Sequence, residues 1–327
     1  MKILVTGGAG YIGGFMSRRL LEKGHQVVVL DNLDRGNREV IPSEAEFIKA
    51  DIKNNIELES VFDSKRSIDA IMHFAGLIAV GESEQNPDLY YQNNVVGSKN
   101  LFDIAIKQGV KKIIFSSSAA VYGNPKQIPI PEDHDKNPTS AYGRNKLEVE
   151  EILTQINNQN PEISFAALRY FNAAGAAIDG SFGEAHLPET HIIPLAMKAA
   201  IKNTEFNLMG TDYDTQDSTC IRDYIHVLDL VEAHILALEK LAKDPGAYFY
   251  NVGTGIGFSN KQVLESIEKV SGLKINIINK PRRAGDSDKL IADSSKITTE
   301  LGFSPQYSEL ELIVKSAWAW HKNQFKI

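Results

Sequence analysis

Cysteine is almost absent: Cys220 is the only one in 327 residues. No disulfide can form within the chain, and no cluster of cysteine and histidine has metal-ligand spacing. The eight histidines are scattered, with no His-Glu-x-x-His pair, so no bound metal is expected. A basic excess is missing too: 35 Lys and Arg face 42 Asp and Glu, for a net charge of −7. That balance argues against nucleic acid or a membrane surface as partner, although single basic residues can still grip a small anion. No apolar run is long enough to span a bilayer. Met1-Lys2 leads straight into the apolar run Ile3-Leu4-Val5, so no signal peptide is expected. With one cysteine and no targeting segment, the expected compartment is the reducing cytoplasm. Repeats, charge blocks and low-complexity tracts are absent as well.

What remains is an ordinary globular composition, 43% hydrophobic and 24% charged, and enough chain for two lobes. Short apolar runs at Ile3 to Val5, Val27 to Leu30, Phe47 to Ile48, Ala70 to Phe74, Ile113 to Phe115 and Phe165 to Leu168 read as strands. Their unbroken apolar character suits a parallel sheet covered on both faces. Ile12, Phe15, Met16 and Leu20 repeat at helix spacing, with Gly24 as a stop. Pro87 opens a second helix that ends near Gly109. Val149, Ile152, Leu153 and Ile156 mark a third, beginning near Thr139-Ser140. Strand-helix alternation of this kind predicts an α/β doubly wound parallel sheet of the Rossmann type. After about Asn172 the pattern loosens. Gly175 to Pro188 reads as a loop, Pro194 to Ile201 and Gln262 to Val270 as helices. Tyr224 to Val227 and Tyr248 to Val252 read as strands, and Leu228 to Leu241 as a helix. The expected division is a first domain over 1–172 and a smaller mixed α/β substrate lobe over 173–327. Elements around 223–254 are expected to return to the first domain.

The turn Thr6-Gly7-Gly8-Ala9-Gly10-Tyr11-Ile12-Gly13 lies between the first strand and the first helix. Glycines allow the tight turn and bring backbone N–H groups to a pyrophosphate at the helix N-terminus. Asp31 ends the second strand, where a carboxylate accepts from an adenosine ribose and repels a 2′-phosphate. That favours NAD over NADP, with Arg35 and Arg38 as nearby cations that could oppose the preference. Tyr142 and Lys146 stand at i and i+4 on one helical face. A tyrosine is a poor base at its ordinary pKa of ~10, and a neighbouring ammonium favours the phenolate. Ser116-Ser117-Ser118 is expected just after the fifth strand, at the carboxyl edge where such sheets bind ligands. A serine there could share the moving proton. Taken singly, the turn, the i,i+4 pair and the serines also read as a tight turn, a solvated helix pair and caps.

In combination these stretches resemble the extended short-chain dehydrogenase/reductase family and, within it, the branch of UDP-glucose 4-epimerases. The resemblance runs end to end. It is carried by Thr6 to Gly13, Asp31-Asn32-Leu33, His73 to Gly76, Ala79 to Ser83, Asn93-Asn94-Val95, Ser116 to Gly123, Tyr142 to Lys146, Leu168 to Asn172, Arg222 to Val227 and Arg282 to Asp286. It implies NAD contacts at Gly7, Gly10, Tyr11, Ile12, Gly13, Asp31, Asn32, Asp51, Ile52, Phe74, Ala75, Gly76, Asn93, Tyr142, Lys146 and Phe171. It implies that Ser118, Tyr142 and Lys146 carry the chemistry and that the sugar meets Ser118, Tyr142 and Asn172. A UDP diphosphate would lie between Arg222 and Arg283, whose forked guanidinium groups suit phosphate oxygens. Asp286 would meet the uridine ribose, and Asn207-Leu208-Met209 would line the uracil. A homodimer through the helices beginning near Pro87 and Thr139 is implied too.

Some positions depart from that pattern. Ile78 stands in place of a lysine, His191 in place of an asparagine that meets substrate, and Leu290 in place of a tyrosine. A smaller side chain at 290 would widen the sugar pocket enough for an N-acetyl group. Ser218 and Cys220 replace glycines, and Cys220 is expected to pack rather than react. Related dehydratases carry an Asp-Glu pair where this chain has Ala119-Ala120, and related decarboxylases a glutamate at the second position. With two methyl groups there, only reversible oxidation remains, which suits NAD-dependent epimerisation at C4 of a UDP-sugar through a 4-keto intermediate. A net sugar-nucleotide reductase or dehydrogenase and a catalytically silent nucleotide sensor are the alternatives.

Overall fold

A computed structural model describes residues 1–62, 67–185, 188–283 and 286–326. In chain order the elements begin with β1 (Lys2–Thr6), α1 (Tyr11–Glu22), β2 (Gln26–Asp31), β3 (Glu46–Lys49), α2 (Asn55–Val61) and β4 (Ala70–His73). Next come α3 (Val80–Gln85), α4 (Pro87–Tyr91), a π-helical turn (Gln92–Val96), α5 (Gly97–Lys107), β5 (Lys112–Ser118), α6 (Ala141–Gln159) and β6 (Ser164–Tyr170). Then follow β7 (Asn172–Ala174), α7 (Ile192–Lys202), β8 (Glu205–Met209), β9 (Ile221–His226), α8 (Val227–Lys243) and β10 (Ala247–Val252). The last are β11 (Gly257–Ser259), α9 (Asn260–Ser271), β12 (Asn276–Lys280), β13 (Lys289–Leu290), α10 (Ser295–Leu301) and α11 (Leu310–Phe325). Two compact units result. One takes in 1–123, 136–169 and 231–250, the other 124–135, 170–230 and 251–327. No helix among the described residues is long and apolar enough to cross a membrane.

The first unit is built on a seven-stranded sheet of order β10-β6-β5-β4-β1-β2-β3. The pairs β1–β2, β1–β4, β2–β3 and β4–β5 are all parallel. Ile3, Leu4 and Val5 are fully buried because a parallel strand is covered on both faces. One side of the core joins Leu4, Val28, Ile71, Ile113 and Phe165 of the sheet to Leu101, Phe102, Val149 and Leu153 of the helices. The chain reverses direction across the sheet between β1 and β4, so these two carboxyl ends form the crevice where a doubly wound sheet binds its ligand. There Thr6 Oγ1 and His73 Nδ1 lie 2.7 Å apart.

Val227, expected to end a strand, instead opens α8, and two strand ends of the first unit also differ from expectation. β4 stops at His73, one residue before Phe74, and β5 runs on through Ser118, so the three serines lie inside the strand rather than after it. The helix expected from Pro87 to Gly109 is also interrupted. α4 and α5 are joined by the π-helical turn, whose buried Asn94 clamps Leu77. Its Oδ1 accepts from Leu77 N at 2.8 Å and its Nδ2 donates to Leu77 O at 2.9 Å. Such π turns inside helices are frequent at functional sites, and Asn93 lies within this one.

In the second unit β9 is central. It pairs with β7 and β13 in parallel and with β11 in antiparallel sense. β8 and β12 form a separate parallel pair. Helices α7, α9 and α11 close the core through Met197, Leu264, Ile267, Ile313 and Val314. Ser259 and Gln262 form a reciprocal capping box at the start of α9, which satisfies two orphan donors of the first turn. The stretch over 175–188 carries no helix or strand, with His186 and Leu187 outside the described residues.

Candidate active site

The turn after β1 is shaped by backbone crowding. Gly7 has φ +69°, and a Cβ there would lie 2.6 Å from Ala75 N, so the turns after β1 and β4 touch main chain to main chain. A Cβ at Gly13 would fall 2.3 Å from the Gly7 carbonyl oxygen, which explains the third glycine. Gly10 differs, since its Cβ would meet only Gly7 O, at 3.2 Å. Gly10 is also the N-cap of α1, with no capping side chain and no acidic residue in the first turn. Tyr11, Ile12 and Gly13 therefore begin a helix whose positive end faces open space.

Asp31 closes the same turn. Its Oδ2 accepts from Ala9 N at 3.0 Å and its Oδ1 from Leu33 N at 2.9 Å. Burial raises its pKa and these two N–H groups oppose the rise. Each oxygen keeps a lone pair for a further donor. Asn32 Nδ2 donates to Asp34 at 3.1 Å and to Asp51 at 3.3 Å, which gathers the polar groups beyond the sheet edge. The side chain of Ile52 is buried in the core, so only its backbone can face a ligand. The two nearby arginines have other partners. Arg35 donates to Glu82 at 2.8 Å, and Arg38 lies 4.5 Å over the Phe47 ring.

Ser140 caps α6 by accepting from Gly143 N at 3.1 Å, and this sets the helix phase. Tyr142 and Lys146 are then both buried. Lys146 Nζ donates to Ser116 O at 2.7 Å and lies 5.8 Å from the centre of the Tyr142 ring. Burial pulls the Lys146 pKa down to about 8, against the opposing charge of Glu150. Ser118 Oγ accepts from Ala120 N at 3.1 Å, so this hydroxyl caps the following turn and keeps its own proton to donate. Phe74, Ala75 and Gly76 are half-buried after β4, and a Cβ at Gly76 would lie 3.8 Å from Lys146 Nζ. Asn93 is half-buried and donates to Asn94 Oδ1 at 3.0 Å.

The second unit gathers the anion-binding candidates. Arg222 and Leu290 are register partners on β9 and β13. Arg222 NH1 donates to the carbonyls of Ile221 and Ser287, each at 2.9 Å. Asp286 then bridges two guanidinium groups, 3.9 Å from Arg222 and 3.0 Å from Arg283. Ala284 and Gly285, within the stretch Arg282 to Asp286, lie outside the described residues. Buried Asp223, next to Arg222, accepts from Thr254 N, Gly255 N and Ala292 N, and so locks the loops around β9. Phe171 and Asn172 are half-buried where β6 gives way to β7. On β8, Leu208 points into the core, while Asn207 and Met209 share the opposite face. Leu208 of the expected strip can therefore meet a ligand only through its backbone.

His191 is the N-cap of α7, and its Nδ1 lies 2.6 Å from Glu184 Oε1. Burial lowers the His191 pKa, but Glu184 and then Glu189 outweigh it and hold it up at about 9. Glu189 is itself pushed up to about 7 by burial and by the charge of Glu184. The ligand atoms of all three lie within 4.8 Å of one another. The group is an ion pair of His191 and Glu184 with a second carboxylate, Glu189, beside it.

A model of the NAD dependent epimerase/dehydratase family matches residues 3–253. The chain belongs to the NAD dependent epimerase/dehydratase family. It is 45% identical to the UDP-glucose 4-epimerase of Lactobacillus helveticus, over 100% of this chain and 98% of that protein. The crystal structure of UDP-glucose 4-epimerase from Brucella ovis in complex with NAD superposes with a TM-score of 0.93 at 42% identity, covering 97% of both chains. The UDP-Glc/GlcNAc 4-epimerase of Campylobacter jejuni gives a TM-score of 0.86 at 43% identity, over 98% of this chain and 99% of that one. As a member of this epimerase/dehydratase family the protein uses NAD, and the open cradle at Gly10 with the uncapped α1 N-terminus fits a pyrophosphate.

Three residues with no part in the expected site stand against it in this family member: Glu150, Arg169 and Glu184. Glu150 repeats the four-residue step from Tyr142 to Lys146, and Arg169 is a lone cation in the apolar strand Phe165 to Leu168 and onward. Both signals were available from spacing and context. Glu184 carries no such signal, because it lies in an irregular loop.

Proposed function

We propose that the protein inverts C4 of a UDP-sugar, interconverting UDP-glucose and UDP-galactose through a 4-keto intermediate. The Gly10 turn, the α1 N-terminus and Asp31 would hold NAD, which would supply a reversible hydride acceptor for C4. Tyr142 takes the 4-hydroxyl proton, and Lys146 favours the phenolate by standing beside it as a cation. Ser118 keeps its proton and donates a hydrogen bond to the oxygen that becomes the carbonyl. The side chains of Ala119 and Ala120 offer no acid or base for loss of water or carbon dioxide, which leaves reversible oxidation. The observation that carries this reading is the buried Tyr142–Lys146 pair, held by Ser116 in the unit that bears the glycine turn.

Arg222 and Arg283 hold the diphosphate, and Asp286 turns from their counter-ion to a ribose acceptor. Asn172, His191, Asn207 and Met209 complete the grip on the nucleotide and sugar, with Leu290 facing the sugar ring. Firm hold on the diphosphate and loose hold on the sugar let the keto sugar present either face. A leucine at 290 also leaves room for N-acetylated sugars. The protein acts in the cytoplasm as a homodimer. Leu89 and Tyr91 of α4 are 44% and 40% exposed, and Leu147 and Ile152 line a shallow groove along α6. Together these helices offer an apolar face for a second copy.

The test is incubation of purified protein with UDP-galactose, UDP-N-acetylgalactosamine or UDP-arabinose, without added NAD. UDP-glucose should form from the first with no net change in the nicotinamide absorbance. A steady absorbance change that requires added cofactor would instead indicate a net dehydrogenase.

A further inference from the structure

Behind the proton-transfer pair lies a buried ion pair that none of the roles above uses. Arg169 and Glu150 are 1% and 2% exposed. Arg169 Nε donates to Glu150 Oε1 at 2.8 Å and NH2 donates to Oε2 at 2.6 Å, a two-pronged contact. Glu150 Oε1 also accepts from Ser117 Oγ at 2.6 Å, and Arg169 NH1 donates to Tyr122 Oη at 2.9 Å. The guanidinium is sandwiched against the rings of Tyr122 and Phe249, 5.3 and 4.8 Å from their centres. Such a pair is costly to bury and rarely a source of stability. Its placement explains it better: Tyr142, Lys146 and Glu150 follow one another at four-residue steps on the buried face of α6.

We propose that Glu150 is the positioning residue that keeps the Lys146 ammonium charged in its dry setting, and that Arg169 anchors Glu150 while tying it to the serine strand. The inference rests on the epimerase reading for the role of Lys146. The surroundings of Lys146 leave few other sources of charge. β5 offers the Ser116 carbonyl and the Phe115 ring, 4.8 Å from Nζ. β4 offers His73, which burial and then Lys146 itself hold down at about 3, so it is neutral. α6 offers Tyr142 and Glu150. Glu150 is thus the carboxylate that opposes desolvation of Lys146. Through Ser117 and Arg169 the same carboxylate is fastened to β5, next to Ser118, and to β6.

Glu150→Gln alone would strand the Arg169 charge and could fail to fold, so the decisive variant is Glu150→Gln/Arg169→Met, with Glu150→Asp as the conservative partner. Two readouts are taken on the holoenzyme across pH. One is the Tyr142 phenolate absorbance, using Tyr142→Phe as blank; the other is turnover. In the folded double variant the alkaline limb of turnover should move down and the phenolate titration up, each by about one pH unit. Glu150→Asp should restore both towards wild type. A folded double variant with both titrations unmoved would overturn the proposal. The phenolate titration needs no turnover, so it reports on Glu150 even if the wild-type protein fails to interconvert UDP-sugars.

Discussion

The Lys146 ammonium donates to the main-chain carbonyl of Ser116 at 2.7 Å, which pins a side chain of α6 to the carboxyl half of β5. The contact fixes the buried cation beside the Tyr142 ring. Turnover that depends on this cation should fall as pH rises through about 8, because burial brings the Lys146 pKa down to that value. The same shift makes stability rise between about pH 8 and 10.5, where only the unfolded lysine still holds its proton. A pH profile of turnover together with melting temperatures checks both signs. Lys146→Met should lose the alkaline limb and most of the rate.

Tyr142→Phe removes the proton acceptor while the ring keeps its buried place. Turnover should drop by roughly 10²–10⁴-fold, the usual worth of a positioned base. UDP binding, measured by calorimetry, should stay within about threefold of wild type, because an interaction made only in the transition state has been removed.

Arg283 is exposed and donates to Asp286 at 3.0 Å, whereas Arg222 is also built into the backbone through two carbonyls. Arg283→Ala should therefore weaken substrate binding without disturbing the fold. One lost charged hydrogen bond is worth about 1.5–3 kcal/mol, or roughly 10- to 100-fold in KM, with kcat changed far less. Steady-state kinetics on UDP-galactose separate the two terms.

Leu290 lies in register with Arg222 and is half-buried. Enlarging it should close the space for an N-acetyl group while leaving an unsubstituted hexose. Leu290→Tyr is expected to lower kcat/KM for UDP-N-acetylgalactosamine by at least tenfold relative to UDP-galactose. Equal losses on both substrates would remove residue 290 from the sugar pocket.

The first unit was largely legible from sequence. Its inner strands are buried on both faces, so they appear as unbroken apolar runs, and Gly7, Gly13 and Asp31 are dictated by backbone packing that admits few other residues. The second unit was less so. β7, β11 and β13 are two or three residues long, too short for a period to register, and α11 passed unread despite its length. Leu208 shows the same limit at the level of one residue: the face its side chain takes depends on the β8–β12 pairing, which the sequence alone does not reveal. Glu150 and Arg169 join only in three dimensions, 19 residues apart.

The most direct test follows the hydrogen at C4. UDP-galactose carrying deuterium at C4 is converted to equilibrium in ordinary water, and the product is examined by NMR. Deuterium should be retained at C4 of UDP-glucose, because it leaves as hydride and returns to the same molecule. Its replacement by solvent hydrogen would mean that C4 is inverted through a proton, and would contradict stored hydride as the basis of the reaction.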